Sequence, residues 1–199
     1  MKLDYFPVIY SGETMTAVGL QVKFTYQDYL HMPEDKRYEL VEGEFFMVPS
    51  PNESHQGISA ELGYALQSYV KKQKAGFVYY APFDVVFSDE DVVQPDIIYV
   101  SKERRGIITR RNIHGAPDLV VEILSPKISY RDREIKRKLY SKYGVKEYWI
   151  VDPVKQTVEV LNLDMNGYRK TGVYNVKTPL TSPSLKGLSI DLKSVFYEM

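Results

Sequence analysis

Glu122 stands inside the run Leu119, Val120, Val121, Ile123, Leu124, a nearly unbroken apolar stretch that reads as a strand buried on both faces of a sheet. An ionised carboxylate taken out of water must be protonated, paired with a cation, or bound to a metal ion, because unpartnered burial is costly. Asp96 repeats the anomaly in "VVQPDIIYV", where alternation puts it on one face with Ile98 and Val100. If the two strands are neighbours, their carboxylates meet at one spot. Hard divalent cations such as Mg²⁺ take such oxygen ligands, usually one or two carboxylates with water and phosphate completing the shell. A basic group follows. Helical projection of the segment after Glu122 gathers Ile128, Asp132, Ile135, Lys136, Leu139 and Tyr143 in a stripe of about 100°, so Lys136 faces inward. Arg133, Glu134, Arg137 and Lys138 point outward by the same projection. An Asp132 to Lys136 pair at i, i+4 is the plain alternative, and it leaves the inward placement of both charges unexplained. His55 shares a helical stripe with Leu62 and Leu66, as a core histidine also would. Glu39 alternates with Val41 in a hairpin, where exposure is the default.

These residues need elements to position them. Residues 25–36 read as a short helix, and 37–48 as a hairpin turning at Glu42-Gly43. After "PSPN", apolar positions Ile58, Leu62, Ala65, Leu66, Tyr69 and Val70 predict a helix that Gly76 stops. Residues 77–87 and 92–100 read as two strands around the turn "SDED". The Glu122 strand follows, then a helix over about 129–143, a strand at "EYWIVDP", and a hairpin between Thr157 and Tyr174 turning at Asn166-Gly167. A short helix near "LKSVF" closes the chain. A strand buried on both faces needs cover on both, so the expected fold is α/β leaning to α+β: a mixed central sheet flanked by helices, with additional β-hairpins.

At 199 residues and 44% hydrophobic, the chain is long enough for one full core. The absence of cysteine removes disulfides, thiolate metal sites and cysteine nucleophiles, and fits a cytoplasmic protein. The first twenty residues have neither the pattern of a secretion signal nor that of a membrane span. With 26 basic and 26 acidic residues, any attraction to nucleic acid must be local. Basic runs at 101–111 and 127–142 flank the Glu122 strand in sequence. GxGxxG, P-loop, GxSxG and HExxH patterns are all missing, which leaves nucleotide binding, serine hydrolysis and zinc proteolysis without a motif. The 17 tyrosines and 8 phenylalanines are read as core packing.

A proline-aspartate at one strand, a glutamate on the next, then a lysine, resembles the PD-(D/E)XK nuclease superfamily. The words "RYELVEGE", "SPNESHQGIS", "QPDIIYV", "GAPDLVVEILSP", "RDREIKRKLYSKYGVKEYWIVDP" and "LTSPSLKGLSIDL" make the likeness narrower. Together they resemble the Uma family of restriction-endonuclease-like proteins, over one domain at 24–199 with residues 1–23 as an N-terminal extension. The resemblance implies a restriction-endonuclease-like core and a metal-dependent DNA endonuclease. Its Mg²⁺ or Mn²⁺ would be held by Asp96, Glu122 and the backbone carbonyl of Ile123, with Glu39 and His55 in support. One departure stands out: the superfamily's lysine position, two residues after the glutamate, is Leu124 here, and the family's shift of the basic group onto the following helix lands on Lys136. A degenerate module of the same fold that binds nucleic acid or protein without cutting is the alternative, and a purely structural Glu122–Lys136 pair is a third. The 157–174 hairpin is an expected edge where two copies could pair into a homodimer.

Overall fold

A computed structural model describes residues 22–33, 35–125 and 131–196, without the side chains of 131 and 132. The proposed 1–23 extension therefore falls almost wholly outside the described residues. In chain order the elements are α1 (Tyr26–Tyr29), β1 (Arg37–Val41), β2 (Glu44–Val48), α2 (Glu53–Gln73), β3 (Gly76–Tyr80), β4 (Asp84–Ser88), β5 (Asp91–Val93) and β6 (Ile97–Ser101). Then come β7 (Asn112–His114), β8 (Leu119–Ile123), α3 (Arg137–Tyr143), β9 (Glu147–Asp152), β10 (Thr157–Asp164) and β11 (Gly167–Asn175).

The larger sheet has strand order β11-β10-β9-β8-β6-β3, with β8 and β9 parallel and the other neighbours antiparallel, so it is mixed as expected. Every residue of β8 is buried. Its odd positions, Leu119, Val121 and Ile123, pack with Ile58, Leu62, Leu66 and Val70 of α2. Its even positions face α3, where Val120 joins Leu139 and Tyr140. Glu122 shares the even face, so the strand's own alternation aims it toward α3. Cover on both faces is what lets an apolar run of this kind sit in the middle of a sheet.

A second sheet, ordered β2-β1-β5-β4-β7, was not separable in the sequence. Each of the stretches read as one strand, 77–87 and 92–100, is in fact two, divided near Pro82 and Pro95, and the halves join different sheets. Proline offers no N–H to a ladder, so the chain leaves one sheet there and enters the other. The smaller sheet packs its Val41, Val85 and Val93 onto the α3 side of the larger one.

Local chemistry explains the remaining boundaries. The first hairpin turns as expected at Glu42 and Gly43, both with positive φ (53° and 77°), the turn that matches strand twist. Asn52 caps α2 by accepting the His55 N–H (2.9 Å), and α2 ends at a left-handed Lys74, two residues before the expected Gly76. The helix expected over 129–143 is a π-helical turn at Arg131–Lys136 running into α3. The turn of the last hairpin is Met165-Asn166 rather than Asn166-Gly167, since Asp164 pairs with Gly167. Residues 192–196 form turns with one Phe196 N–H to Leu192 carbonyl bond, not a helix. β11 is an edge strand, as expected of the hairpin. Among the described residues no helix is long and apolar enough to cross a membrane.

Candidate active site

Lys136 closes the π-helical turn, and its ammonium lies 2.8 Å from Glu122 Oε1 and 3.0 Å from Glu39 Oε1. All three residues are buried, at 3, 3 and 1% exposure for Lys136, Glu122 and Glu39. Glu39 is therefore not the exposed hairpin residue that its sequence setting suggests. Its Oε1 also accepts the Gln94 N–H (3.0 Å). The Tyr140 hydroxyl donates to the same Glu122 oxygen that Lys136 reaches, at 2.5 Å. Burial, with the carboxylates of Glu122 and Glu39 nearby, pushes the Tyr140 phenol well above its ordinary value, so it is a fixed donor. Two donors on one oxygen fix how the Glu122 carboxylate is turned.

Asp96 stands one residue before β6. Because β6 and β8 pair antiparallel, with Ile97 opposite Val121, the start of β6 meets the end of β8. Asp96 Oδ2 accepts the N–H of Ile123 (2.7 Å) and lies 3.2 Å from Nε2 of His55, which reaches it from the first turn of α2. One cavity of about 330 Å³ is lined by Glu39, His55, Asp96, Glu122, Ile123 and Lys136 together. Asp96, Glu122 and Lys136 thus face one hollow, with Asp96 engaged by His55 and the Ile123 N–H, and Glu122 by Lys136 and Tyr140. Among the described residues, three buried polar atoms in its wall, His55 Nδ1, Gln94 Oε1 and Ser125 Oγ, have no hydrogen-bond partner. Buried polar atoms are normally satisfied, so water or a bound group in the cavity would complete these three.

Lys136 faces inward, as helical spacing predicts, although the turn carrying it is π-helical. Among the residues expected to point outward, Glu134, Arg137 and Lys138 are exposed, but Arg133 is half-buried and pairs with Asp152 (3.2 Å). The Asp132 side chain lies outside the described residues. Tyr140 was missed, although it is i+4 from Lys136 and therefore on the same helical face. Gln94 and Ser125 sit between strands, where no periodicity singles them out. The basic run 101–111 does not flank the cavity: it follows Ser101 at the opposite end of β6, about 16 Å along the strand from Asp96. There Arg104 pairs with Asp118, which Lys146 also contacts (2.7 Å).

Among the described residues no three Asp, Glu or His side chains are grouped to hold a metal ion. An ion in this cavity would rely on at most two carboxylates, with neutral oxygens and water making up the shell. That donor chemistry, with Gln94 Oε1 as an unpartnered acceptor in the same wall, fits a hard cation such as Mg²⁺ and not a soft one.

No curated protein matches the chain. The crystal structure of "a putative nuclease belonging to DUF820" from Anabaena variabilis ATCC 29413 is similar, with a TM-score of 0.73 and 26% sequence identity. The similarity covers 87% of this chain and 97% of that one. The model of the Uma2 family, described as "putative restriction endonuclease", matches residues 26–193. That span contains Asp96, Glu122, the buried ammonium and the π-helical turn that delivers it, and the chain belongs to the Uma2 family.

Proposed function

We propose that this protein is a metal-dependent endonuclease that hydrolyses phosphodiester bonds in DNA. The observation that carries the reading is the cavity lined together by Asp96 from just before β6, Glu122 of β8 and Lys136 of the turn before α3. Asp96, Glu122 and the backbone carbonyl of Ile123 would hold Mg²⁺ or Mn²⁺. Such an ion supplies polarisation of the phosphate and a bound water of lowered pKa. Lys136 neutralises charge that builds up on the phosphate oxygens or orients the attacking water. Glu39 holds the ammonium from the other side, so it does not swing out of the cavity. His55 positions Asp96.

The test is cleavage of plasmid and single-stranded DNA with Mg²⁺ or Mn²⁺, beside Asp96→Asn and Glu122→Gln. The reading expects cutting by the parent and a loss of at least a hundredfold in both variants. Equal cutting by all three would remove the assigned site. The engagement of Lys136 by two carboxylates favours a second reading, a module of the same fold that grips nucleic acid or protein without cutting. Binding without cleavage, with either ion present, would establish it. Pairing of two copies along β11 completes the proposal, and sedimentation of the purified protein checks it.

A further inference from the structure

A smaller cavity of about 230 Å³ adjoins the first, and the two share Arg37, Pro51, His55 and Asp96. Gln56, Ser59 and Tyr80 line its far side, and Asp96 is its one carboxylate. Arg37 opens β1 and lies two residues from Glu39, so both project from one face of the strand. It is half-buried, and its Nη2 donates to the Pro49 carbonyl (3.2 Å). Among the described residues it pairs with no carboxylate, whereas Lys136, the other cation of the larger cavity, is held by two. A partly buried guanidinium without a countercharge is unfavourable, and its planar fork of donors matches the oxygens of a phosphate.

Other unmet groups lie in the walls of the two cavities. Among the described residues, the buried Ser125 Oγ of the larger cavity has no hydrogen-bond partner, nor has His55 Nδ1 on the imidazole that both cavities share. A phosphodiester in the smaller cavity would accept from Arg37, which both cavities share. The 21-residue α2 starts in the wall of the larger cavity and runs along the smaller one through His55, Gln56 and Ser59, so its positive end adds to the attraction. Two small adjoining hollows suit neighbouring groups of an unpaired strand, as in enzymes that work on an unpaired or flipped nucleotide, better than a base-paired duplex.

We propose that the smaller cavity is a subsite for the phosphodiester next to the cleaved one on an unpaired strand, with Arg37 as its phosphate ligand. This rests on the nuclease reading above. The test is fluorescence anisotropy of short labelled oligodeoxythymidine and oligouridine, and of a duplex of similar length, with Ca²⁺ in place of Mg²⁺ and the oligomers checked intact. Arg37→Ala should weaken single-strand binding about tenfold or more. It should also lower the slope of log affinity against log salt by about 0.7, one phosphate contact on a single strand. Arg37→Gln, which keeps a donor for the Pro49 carbonyl, should lose the same slope and decides the matter if Arg37→Ala melts early. Dependence on Arg37 with either sugar supports the subsite and names the sugar. Unchanged affinity and slope in both variants would overturn it, as would a duplex bound more tightly with equal dependence on Arg37. A parent that binds with this slope yet cuts nothing removes the nuclease reading and keeps the site. A parent that cuts while both Arg37 variants bind and cut unchanged removes the subsite alone.

Discussion

Replacing Lys136 by methionine keeps the length of the side chain and deletes its charge between two buried carboxylates. At an effective dielectric of about 20, unit charges about 3 Å apart attract by roughly 5 to 6 kcal/mol, much of which offsets the cost of removing them from water. The observed spacings are 3.0 Å to Glu39 and 2.8 Å to Glu122. Removing one partner of a buried pair leaves a stranded charge and costs about 3 to 5 kcal/mol. In a chain of this size that lowers the melting temperature by roughly 6 to 20 °C. Urea unfolding of the parent and Lys136→Met, each at several pH values, measures the difference. A stranded carboxylate escapes its penalty by taking up a proton, so the deficit should shrink as the pH is lowered from about 8 to about 5. A difference below about 1 kcal/mol, the value of an exposed ion pair, would refute the buried-triad argument, and so would a deficit independent of pH.

Tyr140→Phe removes one donor from Glu122 and should cost about 1.5 to 3 kcal/mol by the same unfolding assay. The Tyr140 phenol is raised by burial and by the Glu122 and Glu39 charges, so its share of stability is complete below the ordinary tyrosine value and is lost as pH rises above it. The alkaline limb of the stability curve should therefore be shallower in Tyr140→Phe. At acid pH, Asp91 makes the opposite contribution. Burial pushes its carboxyl up, but the Glu42 N–H, the Tyr143 hydroxyl and the Lys142 ammonium outweigh that and hold it below the usual range. Its stabilisation is present at neutral pH and disappears as pH falls through the depressed value, so Asp91→Asn should flatten the acid limb. A methyl at Gly63 would overlap the Tyr80 ring, whose hydroxyl donates to the Gly63 carbonyl (3.0 Å). Gly63→Ala should therefore destabilise by about 1 to 3 kcal/mol in thermal melts, despite alanine's better helix propensity.

What the sequence made legible was set by how strongly each residue broke its surroundings. Glu122 was visible because a carboxylate interrupts an apolar run, and Lys136 because helical spacing turns it inward. Asp96 was read as a strand residue, yet it stands just outside β6, and its position comes from the ladder between β6 and β8. The second sheet stayed hidden because its strands β5 and β7 are three residues long, too short to carry a period. The basic run at 101–111 is adjacent to the Glu122 strand in sequence and remote from its carboxylate end in space, a distinction only the strand direction decides. Arg37 could have been found by alternation from Glu39, whereas nothing in the order of residues marks Gln94 or Ser125.

The most direct measurement of the central claim is anomalous diffraction from crystals of this protein soaked in Mn²⁺. The expected result is a peak in the cavity, within bonding distance of carboxylate oxygens of both Asp96 and Glu122, that is lost in Glu122→Gln crystals. Full soaking with no peak there, or a peak bound only elsewhere on the molecule, would contradict it.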